Sequence, residues 1–156
     1  MRYILIVLIA VLFSCKGGTP AVDLSALDLM KHGMPIKIKA PADAVVVADD
    51  LGIMKDVTVK GDDNYYIQIL SGLATTTDVS SIKAEQIAEV KNGPFFDEIL
   101  LDEPNGFIFR KKISEDRINH DFRYIKIQGD MEYTFQTGLM GQFSEADAKA
   151  MYESVK

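Results

Sequence analysis

The chain has 156 residues, 47% of them hydrophobic, and a formal net charge of −6. This length suits one domain with a hydrophobic core, and the acidic balance argues against nucleic-acid binding, which needs a concentrated basic surface. The single cysteine, Cys15, excludes an intrachain disulfide and a metal site built from several thiolates.

The first 15 residues have the pattern of an export signal. Arg2 provides a positive start, residues 3–13 are all apolar, and the small Ser14 stands before Cys15. A membrane-spanning helix needs about 20 apolar residues, whereas the core of a secretory signal needs about 7–15. An uncut anchor helix and secretion with a free thiol are the alternatives. The segment Leu12-Phe13-Ser14-Cys15 resembles the signal of bacterial lipoproteins, in which the cysteine becomes the acylated N-terminus.

This resemblance implies three segments: a signal peptide over 1–14, a lipidated cysteine with a flexible tether over 15–21, and one globular domain over 22–156. Gly17, Gly18 and Pro20 are typical of such a tether. Palmitate-type acyl chains on Cys15 would hold the protein at the membrane, since two chains already give stable anchoring. Loss of Arg2 would change the charge from −6 to −7. Because Lys16 is not the Asp that retains lipoproteins at the inner membrane, and no acidic cluster follows it, we expect the periplasmic face of the outer membrane.

The first half of the domain has the alternating pattern of strands. Residues 36–40 alternate, residues 44–48 form a short apolar run, and residues 53–60 and 65–69 flank the turn Gly61-Asp62-Asp63-Asn64. This arrangement predicts a β-hairpin. Residues 22–34 are open to interpretation; Leu24, Leu27 and Met30 could form a short helix that ends at His32-Gly33.

The apolar period changes to that of a helix at residues 79–90, and Asn92-Gly93-Pro94 ends that pattern. Four strands are predicted next, over 95–101, 107–113, 122–128 and 131–139, with His120-Asp121 as a polar loop before the third. Ser144 and Asp147 have the spacing of a capping box that begins a C-terminal helix. The fold class predicted is α+β: a mostly antiparallel sheet of about seven or eight strands, with a central and a C-terminal helix packed on it.

This order of elements over residues 34–156 resembles the PsbP-like fold, an antiparallel α/β sandwich found in photosystem extrinsic subunits. It also resembles small uncharacterised lipoproteins of Bacteroidetes-type bacteria. The resemblance implies a non-enzymatic accessory or binding role. No cofactor is implied, because no motif residue can be matched.

Adjacent acidic residues are the remaining candidates for chemistry. Paired carboxylates can act as acid and base when burial separates their pKa values, which leaves a small envelope hydrolase as the alternative function. Adjacent residues in a strand point to opposite faces, so solvated turns and strand ends are the simpler interpretation. Asp62, Asp63 and Asn64 share one turn and are a candidate calcium site. The pairs are Asp49-Asp50, Asp62-Asp63, Asp97-Glu98, Asp102-Glu103 and Glu115-Asp116.

Five basic residues lie close together in this acidic chain: Arg110, Lys111, Lys112, Arg117 and Arg123. They could protect a strand edge from unwanted pairing, or they could form a docking patch for an acidic partner or a phosphate-bearing ligand. The functional expectation is a non-catalytic binding or accessory lipoprotein. Its expected partners are the membrane, through the acyl chains on Cys15, and a protein of the cell envelope.

Overall fold

A computed structural model describes residues 23–156, which form two antiparallel sheets and two α-helices. The predicted α+β class is confirmed, with one central and one C-terminal helix. Residues 23–156 contain nine strands, divided between a seven-stranded and a two-stranded sheet. The strands are β1 (Leu24–Asp28), β2 (Lys37–Pro41), β3 (Val45–Asp50), β4 (Met54–Lys60), β5 (Tyr66–Leu73), β6 (Phe96–Glu103), β7 (Gly106–Ser114), β8 (Arg117–Gln128) and β9 (Met131–Thr137), and the helices are α1 (Val79–Lys91) and α2 (Glu145–Val155).

The large sheet has the strand order β3-β4-β5-β9-β8-β7-β6, and every neighbouring pair is antiparallel. The predicted hairpin of β4 and β5 is confirmed. At its turn the Tyr65 amide donates to Asp62 O at 3.1 Å, and Asp63 and Asn64 have φ values of 54° and 64°. Two successive positive φ angles define the type I′ turn, which matches the twist of a hairpin and favours Asp and Asn.

The interpretation of residues 22–34 as a short helix is wrong for most of that segment. Residues Leu24–Asp28 form strand β1, which pairs with β2 in the small sheet. Only Met30–His32 is helical, as one 3-10 turn, and Gly33 ends it with a φ of 77°. Leu24 and Leu27 are half-buried and both pack against the core. Their spacing suits a helix, but β2 offers a strand for pairing, and tertiary contacts override a weak local pattern.

The first face of the large sheet is covered by α2 and by the small sheet. Helix α2 contacts β8, β7, β9 and β2. Pro41 at the end of β2 packs on Gly61, and the Lys55 ammonium donates at 3.4 Å to O of Gly33, which precedes β2 in the chain. Strand β2 therefore runs along β4. The main core lies between these layers and includes Val57, Ile69, Phe135, Phe122 and Tyr152.

The second face carries α1, which contacts β8 and β6. Ile82 of α1 and the strand residues Phe107, Phe109 and Ile125 are buried apart from the main core. Towards β3 no α-helix of residues 23–156 covers the same face, and Val45 and Val47 are 64% and 53% exposed. Neither helix in residues 23–156 has the length and apolar character needed to cross a membrane.

Polar side chains at the start of each helix cap its first turn. Asp78 caps α1, since its carboxylate accepts from the Ser80 and Ser81 amides. The predicted capping box of α2 is confirmed: Ser144 Oγ accepts from the Asp147 amide, and Asp147 Oδ2 accepts from the Ser144 amide at 2.9 Å.

Candidate functional site

A row of polar side chains crosses the second face where α1 no longer covers it. Gln68 Nε2 donates to Asp56 Oδ2 at 2.6 Å, and Gln136 Nε2 donates to Gln68 Oε1 at 2.7 Å. Gln68 and Gln136 are 6% and 8% exposed. We call Asp56, Gln68 and Gln136 the polar ladder; it joins β4, β5 and β9 through side chains as well as through the backbone.

A cleft of about 320 Å³ lies between the polar ladder and α1. Its lining includes Gln136, Thr134, Gln86, Glu132 and Arg123. Gln86 Nε2 donates to Thr134 Oγ1 at 3.1 Å, which fixes α1 to β9. Two buried acceptors, Gln86 Oε1 and Asp56 Oδ1, have no hydrogen-bond partner among residues 23–156. A cleft of this size with few but convergent polar groups suits a small polar ligand or a side chain of a partner.

Asp121 is a buried carboxylate, 5% exposed, in the middle of the second face of β8. Its oxygens accept from Lys111 Nζ at 2.8 Å, Arg123 NH1 at 3.2 Å and Thr137 Oγ1 at 2.6 Å. Burial raises the pKa of this carboxyl, but the charges of Arg123 and Lys111 outweigh burial, so its pKa lies below the ordinary value. Asp121 is therefore an ionised structural anchor for two basic side chains. The prediction that His120-Asp121 forms a loop before the strand is wrong, because β8 already begins at Arg117.

The five basic residues predicted as one cluster do not form one patch. Arg110 pairs with Asp97 and Glu98, while Lys111 and Arg123 pair with Asp121. Successive residues of a strand point to opposite faces, so Arg110 and Lys111 lie on different sides of the sheet. Lys112 and Arg117 are exposed, and in the described part of the chain neither has a carboxylate oxygen within ion-pair distance.

The alternative of edge protection does not apply to Arg110, Lys111 and Lys112. Their strand, β7, lies between β6 and β8 and has no free edge. The edges of the large sheet are β3 and β6. A docking role for Lys112 and Arg117 remains a prediction.

The candidate calcium residues are placed by the hairpin turn. Asp62 and Asp63 are exposed, and the Asn64 amide group donates to Asp147 Oδ2 at 3.3 Å. The Asp62 amide donates to Asp43 Oδ2 at 3.3 Å. Over residues 23–156, no three His, Cys, Asp or Glu side chains come together as a possible metal site. Cys15 lies outside the described residues.

Several of the paired carboxylates are engaged in ion pairs. Asp97 and Glu98 both contact Arg110, Asp102 contacts Lys83 at 2.6 Å, and Glu103 contacts Lys156 at 2.6 Å. Hydrogen bonds from Lys156 and Tyr152 lower the pKa of Glu103. A general acid at neutral pH needs a raised pKa, and the shift of Glu103 runs in the opposite direction.

The sequence contained a signal for the Asp121 network that the loop interpretation overlooked. Asn119, Asp121 and Arg123 alternate with His120, Phe122 and Tyr124, which is a strand pattern with one polar and one aromatic side. The polar ladder had no such signal, because Asp56, Gln68 and Gln136 come from three strands far apart in the chain.

Comparisons with protein-family models, with curated proteins and with solved structures find no match.

Proposed function

We propose that this protein is a membrane-anchored lipoprotein of the bacterial cell envelope that acts as a non-catalytic binding or accessory module. The observation that carries this proposal is the segment Leu12-Phe13-Ser14-Cys15 at the end of an apolar run with a basic start. The proposed location is the periplasmic face of the outer membrane, because Lys16 is not the Asp that retains lipoproteins at the inner membrane and no acidic cluster follows Cys15.

The half-covered second face supports a binding role. Val45 and Val47 are more than half exposed on the same face of the sheet that carries the polar ladder and the cleft beside α1. A sheet face that is apolar at its edge and polar at its centre offers both contact area and hydrogen bonds to a protein partner. We place the partner surface here.

The carboxylates favour binding over hydrolysis. Acid–base hydrolysis needs one carboxyl group that stays protonated near neutral pH beside one that is ionised. Asp97, Glu98, Asp102 and Glu103 instead neutralise basic side chains of the same domain.

Replacing the acylated residue tests the anchor. Cys15→Ser in the full chain should abolish labelling by a fatty-acid analogue and release the protein from the membrane fraction. Ser14→Ala is the matched control, because alanine is also small and should preserve the signal and the label. Continued membrane retention of unlabelled Cys15→Ser would refute lipid anchoring.

Chemical crosslinking in intact envelopes tests the binding role. A photoreactive residue at Val47 should capture a defined envelope protein, whereas the same residue at Lys149, which is exposed on α2, should not. Equal or absent capture at both positions would contradict the assignment of the partner surface to the second face.

A further inference from the structure

Two large apolar residues form the tip of a surface turn. Leu139 and Met140 follow β9 and are 75% and 92% exposed. The turn is closed by the Gly141 amide, which donates to Gly138 O at 3.2 Å. Central positions of turns normally hold Gly, Pro, Asn, Asp or Ser, so the local backbone gives no reason for Leu and Met.

The turn is held in place on both sides. The Gly138 amide donates to Tyr66 O at 2.8 Å. Asn119, which is buried in β8, donates to Gly141 O at 3.2 Å and accepts from the Phe143 amide at 2.6 Å. The two apolar side chains are thus presented to solvent by an ordered framework, at a fixed position on the domain.

This apolar tip lies at the end of the domain where the chain enters it. Leu24 pairs with Pro41, and Pro41 packs on Gly61 at the end of β4. Gly61 and Met140 line the same surface depression. We call this the tether end of the sheet. The opposite, far end carries the turn that joins β3 to β4, where Ile53 is 92% exposed.

Distances decide which end stays near an anchor at Cys15. The eight residues 15–22 have a root-mean-square span of about 16 Å if they behave as a Gly-containing coil. Strand β4 alone separates the two ends by about 20 Å. A bilayer that holds Cys15 therefore meets the tether end first.

We propose that the tip formed by Leu139 and Met140 is a lipid-contact site, which sets the domain on the bilayer with its tether end down and its far end pointing away. This inference rests on the proposed lipid anchor. Two apolar side chains by themselves have only weak affinity for a bilayer. Because the anchor already holds the domain at the membrane, the tip is present there at a high effective concentration, which compensates for the weak affinity.

The charges around the tip indicate the kind of lipid. Lys112 and Arg117 lie at this end, at the turn between β7 and β8, where long basic side chains can reach phosphate groups. Glu115 and Asp116 in that turn, with Asp43, Asp62 and Asp63 at the same end, outnumber these two basic groups. A surface on which carboxylates outnumber basic groups fits a zwitterionic phospholipid, because an anionic bilayer would repel most of these charges.

Ile53 is an equally exposed control for Met140. We would purify the acylated full-length chain as Met140→Cys or Ile53→Cys, each labelled with an environment-sensitive fluorophore, and reconstitute it into phosphatidylcholine vesicles that carry a lipid-borne quencher. Acylated Cys15 does not react with the label. Quenching at position 140 should exceed that at position 53 at least threefold, and Leu139→Asp should reduce it. Equal quenching, or stronger quenching at position 53, would overturn the inference.

Vesicle flotation and intact mass distinguish a failure of the lipid-contact site from a failure of the proposed lipid anchor on which it rests. If the chain is acylated and floats but position 140 is not preferentially quenched, the lipid-contact site is wrong and the anchor stands. If the purified chain lacks acyl groups, the proposed anchor is wrong and this inference fails with it.

Discussion

Two neighbouring rows of residues across the large sheet show how differently its faces are used. The row on the first face is apolar, and it lies under α2 and the small sheet except at its last residue, Ala48, which is exposed. The next row, on the second face, runs from an aromatic residue under α1 through polar residues to an exposed valine. The first row is Gly106, Tyr124, Phe135, Ile69, Val57 and Ala48, and the second is Phe107, Arg123, Gln136, Gln68, Thr58 and Val47.

The difference shows that the same strands provide stability on one side and available surface on the other. The covered part of the apolar row contributes to folding but cannot contact a partner. A row with buried hydrogen-bonded amides and an exposed end keeps its shape without a complete cover, because the side chains satisfy each other. The following experiments test this division, beginning with the largest expected effect.

Truncation of a first-face residue should be the most damaging change. Phe135 is 1% exposed and its ring centroid lies 5.9 Å from that of Tyr124. Phe135→Ala should lower the free energy of unfolding by about 3–5 kcal/mol, through lost burial and the cavity that remains. Urea denaturation with a constant m-value would measure this.

Leu70→Ala is the control on the second face, since Leu70 lines the open cleft and is only half-buried. It should cost about 1 kcal/mol, because water can occupy the space that is left. A loss below about 1 kcal/mol for Phe135→Ala, or an equal loss for both variants, would mean that the two faces have been assigned incorrectly.

Neutralising the buried carboxylate should have the next largest effect. Asp121→Asn leaves Lys111 and Arg123 without their counter-ion and should cost about 2–3 kcal/mol at neutral pH. The loss of unfolding free energy should be smaller than for a fully buried ion pair, because the side chains of Lys111 and Arg123 are 29% and 20% exposed and can reach water.

The pH dependence gives Asp121 a distinctive signature. Its pKa in the folded protein is lower than the ordinary value of 3.8, so the ionised form stabilises the fold above that value. This stabilisation is lost as the pH falls from 3.8 through the lower folded pKa. The difference in unfolding free energy between the native chain and Asp121→Asn should therefore shrink at low pH. A difference that does not change with pH would show that the carboxylate charge contributes nothing.

The smallest of these effects concerns the polar ladder. Gln68→Leu removes the donor to Asp56 Oδ2 and the acceptor for Gln136 Nε2, and should cost about 1–2 kcal/mol because both remaining groups lose their partner. Replacing Gln68 and Gln136 together by Leu should recover part of the loss. A rise in melting temperature for Gln68→Leu alone would indicate that the second face is an incompletely packed core and not a maintained polar surface.

Local chemistry explains the parts of the fold that could be predicted. The turn at Asp63 and Asn64 and the capping box at Ser144 and Asp147 depend on residues within a few positions of one another. The alternation of apolar and polar residues along β9 likewise predicts which side chains are buried, since Tyr133 and Phe135 are both buried on the first face. These features involve short-range geometry that the order of residues already specifies.

The basic cluster shows where short-range reasoning fails. Arg110, Lys111 and Lys112 are neighbours in the chain, but the strand places them on alternate faces and gives two of them carboxylate partners. Asp97 and Asp121, which neutralise them, come from the adjoining strands β6 and β8. Charge density along the sequence does not predict charge density on the surface, because ion pairing depends on which strands become neighbours.

The amino-acid sequence by itself determined the α+β class, the central and C-terminal helices, the main hairpin and the resemblance of residues 12–15 to a lipoprotein signal. Periodicity, capping and turn chemistry are properties of contiguous residues, so they can be read without a structure. Only the tertiary structure decided that β1 and β2 form a separate sheet, that Asp121 is a buried anchor and that Leu139 and Met140 share one end with the point where the chain enters the domain. Each of these depends on contacts between segments far apart in sequence, and strand order across the sheet establishes those contacts.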